Sequence, residues 1–125
     1  MTHPITTSEL ILPERANHYG TLFGGHALGI LAKAAFAAAF RQVGGAVVMA
    51  AVEHVEFTAP VAVGALLELT AEVISTGQSS LTVEVIGTVA GTGVLTGRFV
   101  MVAVDDAGRP RAMLETQRKT RHENA

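Results

Sequence analysis

The sequence predicts an α+β domain in which one long helix is followed by an antiparallel sheet, with about five strands in all. First, the residues behind Gly24 are apolar on nearly every side, which is typical of a buried helix. Second, hydrophobic residues recur with a period of two after Gly45, as they do in strands. Third, these strands are joined by short turns, which connect antiparallel neighbours. A long twisted sheet beside a single helix is expected to curl around it.

The helix is preceded by a short strand over residues 5–12. The helix begins near Phe23 or Gly24 and ends at about Gln42, so it is about 30 Å long at ~1.5 Å per residue. The glycine pair at 44–45 ends it, because glycine is common just past a helix.

Four long strands follow the helix. They cover residues 47–58, 66–76, 79–89 and 93–104. Gly77 and Gln78 are predicted to form a two-residue hairpin turn with glycine first, and residues 91–93 the next turn. Residues 105–111 are a loop, and the polar tail from about residue 113 is expected to be loosely ordered.

The amino-acid composition limits the classes of function that the chain can have. The 125 residues are expected to form a single domain, 1–125. They are 49% hydrophobic and only 16% charged, so part of the surface is expected to be buried against another copy of the chain. A net charge of −2 provides no basic field for nucleic acid. Without cysteine there is no disulfide, thiol nucleophile or cysteine-ligated metal.

Metal and membrane functions are also not indicated. The five histidines show no metal-binding spacing, so no metal site is expected. The longest apolar stretch, residues 27–40, is broken by Lys33 and is shorter than the ~20 residues that span a bilayer. The N-terminus does not resemble a signal peptide, and the expected location is therefore the cytoplasm.

The segment GTLFGG, residues 20–25, opens the helix. It lacks the spacing of a nucleotide-binding loop. One interpretation is only a tight turn into a close-packed helix. The other adds chemistry, because the first amides of a helix are unpaired and carry partial positive charge. Such donors can polarise a carbonyl or hold an oxyanion, and Gly24 and Gly25 would let a substrate approach them.

Three polar residues outside the helix have two interpretations each. Asn17 is either a loop-capping residue or an amide that orients a water or bonds a carbonyl. His18 is either an ordinary loop residue or a base. Strand parity puts Glu53 on one face with four residues that resemble core, namely Met49, Ala51, Val55 and Phe57. Its carboxylate therefore lies at a bulge, at a subunit contact, or buried in the core.

Several motifs together resemble one known family, the hotdog-fold acyl-CoA thioesterases of the bacterial acyl-CoA hydrolase group. The matching segments are Asn17, GTLFGG at 20–25, VEHVEFTAPVAVG at 52–64 and GQSS at 77–80. Their order and spacing agree as well as their residue types, and the resemblance runs from about residue 10 to residue 112. It implies a central helix wrapped by a curved antiparallel sheet, which is the hotdog fold.

The resemblance also implies a dimer, or a tetramer or hexamer built from dimers, with active sites where two subunits meet. It assigns a catalytic role to Asn17 and makes the Gly25 amide the donor to the thioester oxygen. The acid that relatives carry seven residues after the second glycine is absent, since Ala32 stands there. The remaining candidates for a base are His18 and Glu53, with His26 and Lys33 as other nearby titratable residues.

The acyl-CoA is expected to contact residues from several motifs. Phe23, Gly24 and Phe57 are candidates for the reactive end. The pantetheine would pass the turn that contains Gly77, Ser79 and Ser80. The phosphates would meet basic residues, for which the candidates are Arg109 and Arg111, with Arg118 and Lys119 of the tail as further ones.

Two functions are compatible with these residues. The first is an acyl-CoA thioesterase that hydrolyses the thioester to free acid and CoA, with no cofactor because CoA is part of the substrate. The alternative is a protein that binds acyl-CoA or another acyl ligand with weak or no hydrolysis, because Ala32 cannot act as a base.

Overall fold

A computed structural model describes residues 4–118. Five strands and one long helix occur in the order β1 (Ile5–Leu10), α1 (Gly24–Val43), β2 (Val47–Phe57), β3 (Leu66–Thr76), β4 (Ser80–Val89) and β5 (Thr92–Ala103). Two short 3-10 helices cover Pro13–Arg15 and Glu115–Gln117. The predicted bounds of the long elements agree with these to within one or two residues.

The strands form one antiparallel sheet in the order β1-β3-β4-β5-β2. This confirms the predicted α+β architecture with a helix beside a five-stranded sheet. Strands β1 and β2 are the two edges of the sheet. An edge strand presents unpaired backbone groups and is where another chain can add.

Helix α1 buries one apolar face against the sheet. Its buried residues include Ala27, Leu31, Ala35 and Ala39, which recur at spacings of four. Gly44 follows the last turn with φ +68, and its amide donates to the carbonyl of Phe40 at 2.8 Å. This left-handed residue ends the helix where the sequence predicted.

The predicted parity of β2 is wrong for Ala51 and Glu53, because two bulges interrupt the strand. The pairing with β5 shifts between Met49 and Ala51 and again between Val52 and His54, which leaves Ala50 and Glu53 as the extra residues. Met49 is opposite the buried Met101 and lies on the helix side, whereas Ala51 has changed to the outer face. Glu53 is exposed at its bulge, so of its three predicted environments the buried one is excluded in the single chain.

Both hairpin turns differ from the prediction: the first is shifted by one residue, and the second is residues 90–91 rather than 91–93. The amide of Gly77 donates to the carbonyl of Ser80 at 2.9 Å, so the two-residue turn between β3 and β4 is Gln78–Ser79 rather than Gly77–Gln78. The pairing of β3 with β4 is also interrupted by a register shift between Val73 and Ser75. Between β4 and β5, Val89 pairs with Thr92, and the intervening residues 90 and 91 make the turn.

The first residues of the C-terminal tail are held against the domain. Met113 is buried, and its amide donates to the carbonyl of Gln78 at 2.9 Å. The Gln117 side chain donates to the carbonyl of Val43, and Gln42 donates to the carbonyl of Gln117. Residues 113–118 of the tail therefore contact the domain, and its remainder, which includes Lys119, lies outside the described residues.

One side of the domain exposes large apolar side chains from α1 and from the edge strand β2. We call these residues the seam surface. Its members are each 40–50% exposed: Leu28, Phe36, Phe40, Met49, Val52 and Phe57. Large exposed apolar patches mark interaction sites. Among residues 4–118, no helix has the length and apolar character needed to cross a membrane.

Candidate active site

The start of α1 presents backbone amides that have no acceptor. The first bond of the helix runs from the Ala27 amide to the carbonyl of Phe23, at 2.9 Å. The amides of Gly24 and Gly25 precede it, and within residues 4–118 neither donates to a backbone or side-chain acceptor. The first turn also contains no acidic residue. The positive end of the helix is therefore free to bind an oxygen that carries negative charge.

The segment before the helix is fixed by backbone bonds on both sides. The Phe23 amide donates to the carbonyl of Arg15 at 2.9 Å, and the Leu22 amide donates to the carbonyl of Val61 at 2.7 Å. Thr21 also forms an isolated bridge with Ala62. These bonds set the direction of the helix start before any ligand arrives, which is the preorganisation that oxyanion stabilisation requires.

A pocket of about 240 Å³ opens at this end of the helix. Its lining comes from the helix start, the end of β2, the segment after it, and β5: Leu22, Gly24, Ala27, Phe57, Thr58, Ala59, Pro60, Val61 and Leu95. Sequence reasoning identified Gly24 and Phe57 but not the others. Pro60, three residues after the end of β2, was the available signal for the return of the chain towards Leu22.

The two glycines of the pair have different surroundings. Gly24 belongs to the pocket wall, and a Cβ there would be 3.8 Å from Cε2 of Phe57. Gly25 is exposed, and a Cβ there would be 2.8 Å from Cε2 of Phe23. The rings of Phe23 and Phe57 therefore flank the glycine pair, and any larger residue at position 25 must displace Phe23.

Asn17 organises the turn before the helix. Its Oδ1 accepts hydrogen bonds from the amides of Tyr19 at 2.9 Å and Thr21 at 3.2 Å, while its Nδ2 donates to Thr21 Oγ1 at 3.0 Å. This is the local bonding by which asparagine favours turns. The predicted loop role is present in the structure, and a direct role towards substrate remains a prediction.

The candidate bases are dispersed. His18 is exposed and its ring contacts that of Tyr19, tilted by 39° with ring centroids 3.9 Å apart. His26 lies edge-on to Phe23 at 5.9 Å. Lys33 pairs with Glu9 at 3.8 Å, on the side of the helix that faces β1. Glu53 has no hydrogen-bond or ion-pair partner among the described residues, and none of the four lines the pocket.

The other predicted binding residues lie at the opposite end of α1. Ser79 accepts a bond from the Ala103 amide at 2.8 Å, and the Arg111 amide donates to Ala103 at 2.9 Å. Arg111 also approaches Gly45, with its Nη2 3.1 Å from where a Cβ would be. Arg109 is exposed in the adjoining loop. The helix start and this second group are separated by about the 30 Å length of a 20-residue helix.

Residues 4–118 contain no cluster of three or more histidine, aspartate or glutamate side chains that could hold a metal ion. The helix start presents backbone donors at a pocket lined mostly by apolar side chains. Such donors stabilise charge on a carbonyl oxygen during attack at the carbonyl carbon.

The comparisons with known proteins identify the family. A family model described as the thioesterase superfamily matches residues 19–96, which is more than half of the chain, and the chain belongs to this superfamily. A relative from Zymomonas mobilis, an uncharacterized acyl-CoA thioester hydrolase, is 34% identical over 107 residues that span 81% of this chain and 72% of the relative.

Solved structures share the architecture. The acyl-CoA hydrolase of Staphylococcus aureus, in complex with butyryl-CoA, CoA and CoA disulfide, matches 88% of this chain and 71% of its own at 27% identity and a TM-score of 0.85. A hexameric thioesterase from Yersinia pestis matches 91% of this chain and 97% of its own at 30% identity, with a TM-score of 0.85. The shared architecture confirms the predicted hotdog fold.

The S. aureus hydrolase has also been solved as three single mutants. In these an asparagine, an aspartate and a threonine are each replaced by alanine.

Proposed function

We propose that this chain is an acyl-CoA thioesterase that hydrolyses an acyl-CoA to a carboxylic acid and CoA. The observation that carries the proposal is the pair of unpaired amides, Gly24 and Gly25, at a pocket in a member of the thioesterase superfamily. The relatives from Zymomonas mobilis and S. aureus are described as hydrolases of acyl-CoA, which supports the substrate class.

The reaction requires one water and produces two products. The water oxygen forms a bond to the thioester carbonyl carbon, and the electrons of the C=O bond move to the oxygen, which the Gly24 and Gly25 amides stabilise. Collapse of this intermediate breaks the C–S bond. CoA leaves as a thiolate and takes up a proton, and the acid loses its proton at neutral pH.

The remaining predicted residues have supporting roles. Asn17 holds the turn that positions the helix start and orients the water or substrate, while His18 or Glu53 supplies basicity. Phe23 and Phe57 flank the acyl carbonyl. The CoA passes the Gln78–Ser79 turn, and Arg109 and Arg111 meet its phosphates. CoA is part of the substrate, and no further cofactor is required.

The active assembly is a homo-oligomer, a dimer or a dimer-based tetramer or hexamer. The exposed seam surface and the open edge of β2 support this. If two copies pair along β2, the two sheets become one, and both the edge strand and the seam surface are covered. A hexameric relative from Yersinia pestis is consistent with it. We propose the cytoplasm as the location.

The test is release of thiol from a panel of acyl-CoAs of different chain length. Because the chain contains no cysteine, every thiol detected comes from CoA. Turnover above the buffer rate that is proportional to protein concentration is expected for at least one substrate. Absence of turnover across the panel, by protein that is folded and oligomeric, would contradict hydrolysis.

A second candidate function follows from Ala32. A methyl group stands where the family resemblance places an acid, and loss of a general base costs about 10²–10⁴-fold in rate. The chain would then hold acyl-CoA without appreciable hydrolysis. Calorimetric binding of CoA and acyl-CoA, measured beside the thiol assay, separates the two functions.

A further inference from the structure

We infer that Ala32 and Met49 occupy the two positions at which a hydrolytic relative carries an aspartate and a threonine, so that the site lacks its carboxylate and its hydroxyl. This inference rests on the proposed function. In the S. aureus hydrolase, the asparagine and aspartate that were replaced by alanine are fifteen positions apart, and the threonine follows after seventeen more. Counting the same intervals from Asn17 reaches Ala32 and then Met49.

The structure places both positions on the same side of the domain. Ala32 is half-buried, four residues before Phe36 on α1, so both lie on one flank of the helix. Met49 is 49% exposed on the helix side of the edge strand β2. Met49 is therefore part of the seam surface and Ala32 borders it, whereas Lys33 is turned away towards Glu9.

One copy cannot bring Met49 to its own helix start. Phe57 lies against Gly24. Its partner Leu95 and the partner of Met49, Met101, are six residues apart on β5, so Met49 is about 20 Å away at ~3.3 Å per residue. If β2 of one copy pairs with β2 of the second in the antiparallel sense about a two-fold axis, the two helices run in opposite directions. The helix start of one copy then faces the seam surface of the second, and the site is complete only with both.

The consequence is a site with oxyanion donors but without a base at its usual place. The attacking water must lose its proton to bulk solvent or to a poorly placed group, and this step limits the rate. The missing carboxylate leaves room for a small one. Formate bound beside Ala32 would accept the proton of the attacking water, become formic acid and return the proton to solvent.

Chemical rescue of the unmodified protein is the first test. Thiol release from butyryl-CoA, the acyl-CoA in the S. aureus complex, is measured with increasing sodium formate against equal concentrations of sodium chloride. A several-fold, saturable rise with formate alone is expected. The same rise with chloride, or none with either salt, would overturn the inference.

Restoration of the missing groups is the second test. Ala32→Asp should raise kcat at least about tenfold, since a general base contributes about 10²–10⁴-fold, and should remove the response to formate. Adding Met49→Thr should raise kcat a further several-fold.

Two matched controls test whether the added acid or hydroxyl acts only at the proposed position or also elsewhere in the same helix or strand. Ala37→Asp adds the same acid to the same helix, but on the side that faces β1, where Ala37 lines a groove with Lys33 and Glu9. Val48→Thr adds a hydroxyl to the equally exposed neighbour of Met49, on the other face of β2. Neither control should raise kcat.

The outcomes distinguish this inference from the proposed function. If the native chain is inert but Ala32→Asp hydrolyses butyryl-CoA, native hydrolysis fails and the inference holds. If the native chain turns over and neither formate nor Ala32→Asp changes kcat, hydrolysis stands and the inference is wrong. If Met49→Thr adds nothing to a functional Ala32→Asp protein, the assignment of Met49 is wrong.

Discussion

Replacing Gly24 with proline removes one of the two proposed oxyanion donors while keeping the helix. Gly24 is the first residue of α1, the position at which proline is favoured because its missing amide hydrogen has no helical partner. Phe23 already has φ −67 and ψ 135, the extended conformation that a residue before proline requires. A Cβ at position 24 would lie 3.8 Å from the Phe57 ring, an ordinary contact.

Gly24→Ala is the matched control, because it adds the same Cβ but retains the amide hydrogen. The ratio of the two kcat/KM values therefore compares the amide hydrogen with the proline Cδ that takes its place on the nitrogen. Loss of one oxyanion-hole donor costs about 10²–10³-fold, or about 2.7–4 kcal/mol of transition-state stabilisation. We expect kcat/KM of Gly24→Pro to be lower than that of Gly24→Ala by this factor.

The assay is thiol release from the best substrate of the acyl-CoA panel, with thermal unfolding of both variants as the check on folding. Because the donor acts mainly in the transition state, kcat should fall more than binding of CoA weakens. If two variants of equal stability hydrolyse the substrate at equal rates, the Gly24 amide is not a donor and the reasoning from the helix start is refuted.

Three further predictions concern the turn, the loop and the seam. Ala90 has φ +50 in the β4–β5 turn, where the left-handed region costs a non-glycine residue about 1 kcal/mol. Ala90→Gly should raise the free energy of unfolding by about 0.5–1 kcal/mol, measured as a higher urea midpoint at constant m-value, and an unchanged midpoint would contradict this. Asn17→Ala, which leaves the amides of Tyr19 and Thr21 without their acceptor, should lose about 1–2 kcal/mol as well as activity. Asn17→Asp keeps the acceptor oxygens, so full activity in that variant would exclude a direct role for Nδ2. Phe36→Lys should shift sedimentation towards the monomer and abolish turnover. Ala37→Lys, on the other flank of the helix, should change neither. A fully oligomeric Phe36→Lys protein would show that the seam surface is not the contact between copies.

The long elements could be predicted from the sequence because their signals are local. A change from a nearly all-apolar segment to a period of two separates α1 from the strands, and Gly44 marks the boundary. Strand β3 alternates without Gly or Pro, and its bounds were predicted without error. The fold class followed from these elements and the short turns between them.

The bulges in β2 and β3 could not be predicted, because a bulge has no distinct sequence signal and a one-residue shift reverses every later side chain. The predicted face of Ala51 is wrong because a bulge precedes it in β2. The pocket was only partly predicted for another reason. Its walls come from segments as distant as Leu22 and Leu95, whose meeting depends on tertiary packing. The helix start could be predicted, because Gly24 and Gly25 are adjacent in the sequence and form a local signal.

A structure with an unreactive acyl-CoA analogue, in which a methylene replaces the thioester sulfur, would test the central claim most directly. The quantity to measure is the distance from the analogue's carbonyl oxygen to the amide nitrogens of Gly24 and Gly25. We expect at least one distance of about 2.7–3.1 Å, at a site bounded by the seam surface of a second copy. A carbonyl bound elsewhere, with both amides facing solvent, would contradict the mechanism.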